Sequence, residues 1–384
     1  MPQLLTDQQQ ARYTEFKNFA ASNVEPHAEA WDRDQMLPDS VIAMLAKAGY
    51  LGCSLPTDYG GQGWDIVTFG LLNEALGRGS SSLTGVLTVQ AMVSMALLKW
   101  GTPEQKARWL PPLAKGEMIG AFALTEPGAG SALQSLTTEF KRDAEGDSLI
   151  LNGRKQWITC GQLAGVFLVF GNLEQRSLAC LVPRETPGLV VEPIQGLMGF
   201  RAAGLAKLTF DNVKVPSASI VGKPGFALSH VAPVGLQYGR ISTACSGLGL
   251  LRGCFEDSIA YAAERKIADK RVGELGMIRS LIAGMGTDLE AGRFLCQDAC
   301  RLEAEHDPNA FEKVLIAKYF TSRAAVRAAS NAVQIRGASG CHESSAVSRF
   351  YRDSKIMEII EGTTQIHEEL LGKIFVGQAG RTGE

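Results

Sequence analysis

Val166-Phe167-Leu168-Val169-Phe170 is the stretch on which the fold turns: a short β-type run set between turn residues. It has company. Leu149-Ile150-Leu151, Leu178-Ala179-Cys180-Leu181-Val182 and Leu189-Val190-Val191 repeat the texture, and Leu208, Phe210, Val213 and Val215 carry a partly alternating pattern up to Pro216. Asn152-Gly153 reads as a hairpin turn. About a hundred residues from Met118 onward are therefore expected to form a small, mostly antiparallel β domain.

Outward from this centre the pattern is helical on both sides. From Thr6 to about Lys115, Thr6 with Gln9 makes a capping box, and Thr102-Pro103-Glu104-Gln105 sets an N-cap, a first-turn proline and a capping partner in order. Pro38 to Lys47 and Phe69 to Leu76 carry apolar residues at three and four spacing, with a loop at Tyr59-Gly60-Gly61-Gln62-Gly63. Past Phe226, helical segments at about 227–266, 279–305, 311–336 and 350–375 predict an up-and-down four-helix bundle. The expected organisation is α+β, mainly α: an N-terminal helical domain at 1–117, a central antiparallel β domain at 118–225 and a bundle at 226–384. There is no tandem repeat.

Bulk composition names no partner. The 384 residues include 45% hydrophobic and 20% charged side chains, and a net charge of −2 provides no basic field for nucleic acid or anionic lipid. The start turns polar at once, without the basic and apolar regions of a secretory signal, and no uninterrupted apolar stretch reaches a membrane span. A soluble, cytoplasmic protein is the expectation. Eight scattered cysteines without a CxxC suit reduced thiols, and Cys296 and Cys300, four apart on a helix, lack a nearby histidine at zinc spacing, so no metal site is expected.

Three segments suggest chemistry. Ala121-Phe122-Ala123-Leu124-Thr125-Glu126-Pro127-Gly128-Ala129-Gly130-Ser131 runs a strand into a Gly/Ser loop whose backbone N–H groups and two hydroxyls can approach a ligand's polar edge; a Pro-Gly turn that merely ends a strand looks similar. In Gln156-Trp157-Ile158-Thr159 the Trp and Thr, two apart, are expected on one face, offering a flat apolar surface and a hydroxyl to a heteroaromatic ring; a core Trp is the alternative. In Tyr351-Arg352-Asp353-Ser354-Lys355-Ile356-Met357-Glu358-Ile359-Ile360-Glu361-Gly362-Thr363-Thr364-Gln365-Ile366, Glu361 follows two isoleucines and precedes a glycine. At such an apolar helix end, desolvation raises a carboxylate toward the basicity of a useful base. Gly362 can break the helix, and Thr363 or Thr364 can cap the next.

In combination and in this order, these segments resemble the acyl-CoA dehydrogenase family over nearly the whole chain, with further matches at Tyr59-Gly60-Gly61-Gln62-Gly63, Gly101-Thr102-Pro103-Glu104-Gln105-Lys106 and Gln334-Ile335-Arg336-Gly337. The resemblance implies that fold and an FAD ring between the β domain and the bundle, surrounded by Phe122, Leu124, Thr125, Gly130, Ser131, Trp157 and Thr159. It assigns Arg265, Gln334 and Gly337 to FAD contacts across a subunit interface in a homodimer or homotetramer, and Thr363 and Gln365 to further FAD contacts. Arg240 matches an arginine near the acyl pocket, where a bundle ion pair is the other reading. The implied reaction is α,β-dehydrogenation of an acyl thioester, on coenzyme A or an acyl carrier protein. Glu361 takes the α-proton, the β-hydride goes to flavin N5, and the backbone N–H of Glu361 helps bind the thioester oxygen. Electrons then pass to an electron-transfer flavoprotein or O₂.

The chain departs from the family pattern at Ala132, at Arg265-Lys266-Ile267-Ala268-Asp269, at Ala338 and at Cys341. Gly199-Phe200-Arg201-Ala202-Ala203-Gly204 and Tyr238-Gly239-Arg240 look closer to a branch serving secondary metabolism, which leaves a flavin oxygenase acting on a thioester or aromatic substrate as the alternative. An idle scaffold that kept the fold is a third reading. A Rossmann dehydrogenase is a poorer reading still, since Gly247, Gly249 and Gly253 have the wrong spacing and lie in a helical pattern with no strand before it.

Overall fold

The computed structural model describes residues 5–144 and 146–379. Six helices come first: α1 Asp7–Asn23, α2 Ala28–Asp34, α3 Asp39–Lys47, α4 Ile66–Gly79, α5 Ser81–Trp100 and α6 Pro103–Ala114. Both anticipated capping boxes form, at Thr6 with Gln9 and at Thr102 with Gln105. Helix α5 is long and apolar enough to cross a membrane, with a mean hydropathy of 1.5, but 83% of that window is buried inside the protein. It is a core helix, and its Ser, Thr and Gln side chains are tied internally. Thr88 Oγ1 lies 2.5 Å from Ser242 Oγ, and Gln90 Nε2 donates to the Leu113 carbonyl.

The sheet follows: β1 Gly120–Ala123, β2 Glu139–Arg142, β3 Ser148–Ile158, β4 Val166–Leu173, β5 Arg176–Pro183, β6 Leu189–Pro193 and β7 Ala206–Pro216. Its order is β1-β4-β2-β3-β7-β6, with β5 on β4. The expected antiparallel domain is thus corrected to a mixed one, because β1 and β2 both run parallel to β4. The expected hairpin at Asn152-Gly153 is corrected as well. Both residues lie inside β3, at a bulge between Leu151 and Gly153 where the strand continues along β7. Glycine is needed there because a Cβ on Gly153 would stand 2.6 Å from Thr138 Oγ1.

A π-helical turn at Ala227–Val231 leads into the helices α7 Ala232–Glu264, α8 Gly276–Ala304, α9 Ala310–Arg336, α10 Ala346–Met357 and α11 Thr364–Ala379. Between α7 and α8, β8 Lys266–Ile267 and β9 Lys270–Arg271 form a small ribbon. The anticipated last segment, 350–375, is two helices, broken where Glu361 and Gly362 take left-handed φ of 54° and 95°. Helices α4 and α7 meet backbone to backbone: a Cβ on Gly249 would stand 2.1 Å from the Glu74 carbonyl oxygen, and one on Gly77 would stand 2.7 Å from that of Ser246.

The N-terminal helices and the bundle share one apolar core, while the sheet closes a second around Phe140, Phe167 and Val169. A third, small cluster of Phe200, Ala203 and Met357 joins the segment before β7 to the end of α10. The candidate site lies where these meet.

Candidate active site

A cavity of about 370 Å³ opens between the sheet, α5, α7 and the α10–α11 turn. Its sheet wall is Phe122, Leu124, Thr125, Gly130, Ser131, Trp157 and Thr159. The Gly/Ser loop and the Trp strand, 30 residues apart in sequence, are stitched together by Gln156 N–H donating to the Thr125 carbonyl at 3.0 Å. Beneath them lies a pair not singled out in the sequence. Lys155 Nζ donates to Glu126 Oε1 at 2.8 Å and to the Leu124 carbonyl at 3.0 Å. The other Glu126 oxygen accepts from the Thr137 N–H and hydroxyl, and Oε1 also takes the Thr138 N–H. Burial alone would raise the Glu126 carboxyl; these bonds to Lys155, Thr138 and Thr137 hold it down at about 2. Both side chains are almost wholly out of water, so the loop is fixed by a fully satisfied ion pair.

Trp157 and Thr159 do share the cavity, though not by simple alternation. A second bulge between Lys155 and Ile158 and a left-handed φ of 61° at Trp157 turn the indole outward, leaving it 50% exposed. Such a side chain in a sheet wall is a platform for a flat partner, not a core Trp.

The facing wall carries Glu361. The turn begins as α10 ends, and the Thr364 N–H closes it onto the Glu358 carbonyl at 3.0 Å. Thr363 starts α11, with its hydroxyl accepting the Ile366 N–H at 3.4 Å. Among the described residues lining the cavity, Glu361 is the one carboxylate. Its Oε2 is buried without a hydrogen-bond partner, and its N–H meets no acceptor among the described residues. Burial pushes the carboxyl up to about 7, and the charges of Arg240 and Lys318 keep it from going higher. Room for the carboxylate comes from Gly239 on α7, where a Cβ would lie 2.2 Å from Oε2. Arg240 lines the same cavity, with its guanidinium 5.5 Å from the Phe311 ring and Nε buried and unpaired. It forms no ion pair with a described bundle residue, which disposes of that alternative.

The cavity therefore gathers Phe122, Leu124, Thr125, Gly130, Ser131, Trp157, Thr159, Arg240, Glu361 and Thr363. Gln365 lies exposed on the first turn of α11, outside the lining. Arg265, Gln334 and Gly337 are exposed and remote from it, gathered at one end of the bundle where Tyr261 Oη donates to the Arg336 carbonyl. The sequence reading missed Glu126, Lys155, Lys318, Gly239 and His367. All of them are polar or featureless letters whose importance depends on burial.

This lining fits FAD. Trp157 offers an open aromatic face, Thr125, Ser131 and Thr159 offer hydroxyls, and Gly128 and Gly130 leave the loop backbone clear, with nothing nearer than 3.9 Å to a Cβ at either.

Comparison with known proteins agrees. Residues 6–117, 121–213 and 229–375 match the N-terminal, middle and C-terminal domains of acyl-CoA dehydrogenase. A short/branched chain specific acyl-CoA dehydrogenase from Bos taurus is 34% identical over 97% of this chain and 86% of its own. Butyryl-CoA dehydrogenase from Megasphaera elsdenii superposes with a TM-score of 0.94 at 29% identity, covering 98% of this chain and all of its own. A glutaryl-CoA dehydrogenase from Mycobacterium smegmatis, solved in complex with FADH2, has a TM-score of 0.92 at 29% identity over 97% of this chain and 96% of its own. A buried carboxylate facing an aromatic sheet wall, on a chain matched from end to end, makes this protein a member of the acyl-CoA dehydrogenase family of flavoenzymes.

Proposed function

We propose that this protein dehydrogenates acyl thioesters between the α- and β-carbons, with Glu361 as the base that takes the α-proton. The observation that carries this reading is the buried, unpartnered carboxylate of Glu361 facing the Trp157 wall. A proton next to a thioester is too weakly acidic for a free carboxylate, and a base raised to about 7, with about half its population ionised at neutral pH, matches the task better. The free N–H of Glu361 is available to the thioester oxygen and would stabilise the enolate charge as it develops. FAD, when bound, supplies the two-electron oxidant that removes the β-hydrogen as hydride. Phe122, Leu124, Thr125, Gly130, Ser131, Trp157 and Thr159 would hold its ring, with Thr363 and Gln365 nearby. Arg265, Gln334 and Gly337, exposed at the far end of the bundle, would reach the FAD of a second copy in a homodimer or a dimer of dimers. Arg240, on the α7 side of the lining, would lie toward the acyl group.

The test is anaerobic titration of the yellow protein with a panel of acyl-CoA and acyl-carrier-protein thioesters, followed by admission of labelled O₂. Flavin bleaching with release of a 2-enoyl thioester supports the reading, and the preferred carrier identifies the partner. Label appearing in product favours an oxygenase, and a flavin that no thioester bleaches overturns dehydrogenation. Electron-transfer flavoprotein added in place of O₂ distinguishes the acceptor.

A further inference from the structure

Helix α9 carries a buried lysine that packing does not explain, its ammonium pushed down to about 7 by burial and so fully charged only on the acid side of neutrality. Lys318 is 0% exposed, among small residues of the same helix such as Ala317, Thr321 and Ser322. Removing an ammonium from water is costly unless it gains partners, and an apolar side chain of similar length would fill this space without that cost. Lys318 forms no ion pair with a described residue. The one hydrogen bond of its ammonium is donated to the Gly362 carbonyl, at 2.6 Å.

That carbonyl belongs to the left-handed pair Glu361-Gly362. The next carbonyl, of Thr363, accepts from His367 Nδ1 at 3.0 Å. Burial and the charge of Lys318 hold the His367 imidazole down at about 4, so it is neutral, with its proton on the nitrogen facing the carbonyl. Two consecutive carbonyls of the turn are thus tethered from two different helices. A non-glycine residue at φ 54° relaxes toward ordinary backbone unless its surroundings fix it.

We infer that Lys318 is a positioning residue for the reaction, holding the Glu361 turn through the Gly362 carbonyl so that the carboxylate stays aimed into the cavity. This rests on the reading of Glu361 as the base. The charged groups that act on the carboxylate are Arg240 from α7 and Lys318 from α9; Glu358 at the end of α10 acts on Lys318, and the charges of Lys318 and Arg240 in turn act on His367 of α11. Lys318 also favours the ionised form of Glu361, so its removal moves the acid limb of the rate profile to higher pH.

The experiment follows anaerobic flavin bleaching of FAD-loaded wild type, Lys318→Met, Lys318→Gln and Lys318→Arg at saturating thioester across the neutral pH range. Lys318→Met should keep FAD and bind substrate within a few-fold of wild type. It should bleach about ten- to a hundredfold more slowly, the effect of losing one charge-assisted bond at a reacting centre, with its acid limb displaced upward. Lys318→Arg should restore the limb, and Lys318→Gln should recover part of the rate while leaving the limb displaced. A wild-type rate and limb in Lys318→Met overturns the inference, as does a loss confined to substrate affinity. If Lys318→Met loses FAD, the other two variants decide, and coincident limbs in Gln and Arg overturn it. Glu361→Gln run in parallel separates the two levels. Bleaching retained there removes the base itself, whereas bleaching abolished there beside an unaffected Lys318→Met removes only the tether.

Discussion

The two walls of the cavity bury charge in opposite ways. In the sheet wall, Glu126 and Lys155 satisfy each other, the Thr137 N–H and hydroxyl and the Thr138 N–H complete the carboxylate, and it is held far down, at about 2. In the bundle wall Lys318 is fully buried, and Glu361 and Arg240 are half-buried with Oε2 and Nε out of water and unpaired; the three form no close pair, and the carboxyl rises to about 7. The lesson is that burial alone does not set a carboxylate's role. A satisfied one fixes a loop, and an unsatisfied one is left able to exchange a proton.

The largest effect expected to break this contrast is at Glu361. Glu361→Gln removes the base without changing shape, and anaerobic bleaching should fall by about 10²- to 10⁴-fold while the protein stays yellow. Lys155→Met leaves the Glu126 carboxylate buried and unpaired, so denaturant unfolding should show a loss of about 3–5 kcal/mol, with weaker FAD retention. The pair's contribution also depends on acid: with its folded pKa depressed, Glu126 adds stability above its ordinary value near 4.5, and this is lost as pH falls toward 2. Gly239→Ala sharpens the comparison further. The new methyl displaces the carboxylate on the cavity side, so bleaching should drop by about 10²-fold, the cost of a 1 Å misplacement. The thermal midpoint should hold or rise, since alanine favours the helix by up to about 1 kcal/mol. The smallest effect is in the wild type. Its bleaching rate should rise with pH and be half-maximal near 7, because the base must be ionised; a profile flat down to pH 5 would contradict an unpaired Glu361.

Much of this was legible in the residues. The helical, β and helical textures, both capping boxes and the placement of Glu361 at an apolar helix end follow from local rules of spacing and capping. What failed depended on partners far away in sequence. Asn152-Gly153 has hairpin chemistry, yet β7 runs past it and Thr138 packs where a Cβ would be. Strand direction is not encoded in alternation, so the parallel placement of β1 and β2 on β4 was invisible. Lys155 and Lys318 carry no signal of their own in the sequence, since lysines are usually solvated, and only three-dimensional burial reveals their work. Arg265, Gln334 and Gly337 fall outside the cavity, at the far end of the bundle, and only the proposed pairing with a second copy would bring them to a cofactor.

The close crossing of α4 over α7 at Gly77 and Gly249 bears on how this molecule moves. Helices that meet main chain to main chain at Gly77 and Gly249, and are pinned by Ser242 Oγ donating to Asn73 Oδ1, should resist sliding, so the N-terminal helices and the bundle are expected to move as a single block. Admission of a bulky guest then falls to the sheet and its connecting strands. Amide exchange should report it: slow and uniform across α4, α5 and α7, faster along the 195–205 segment.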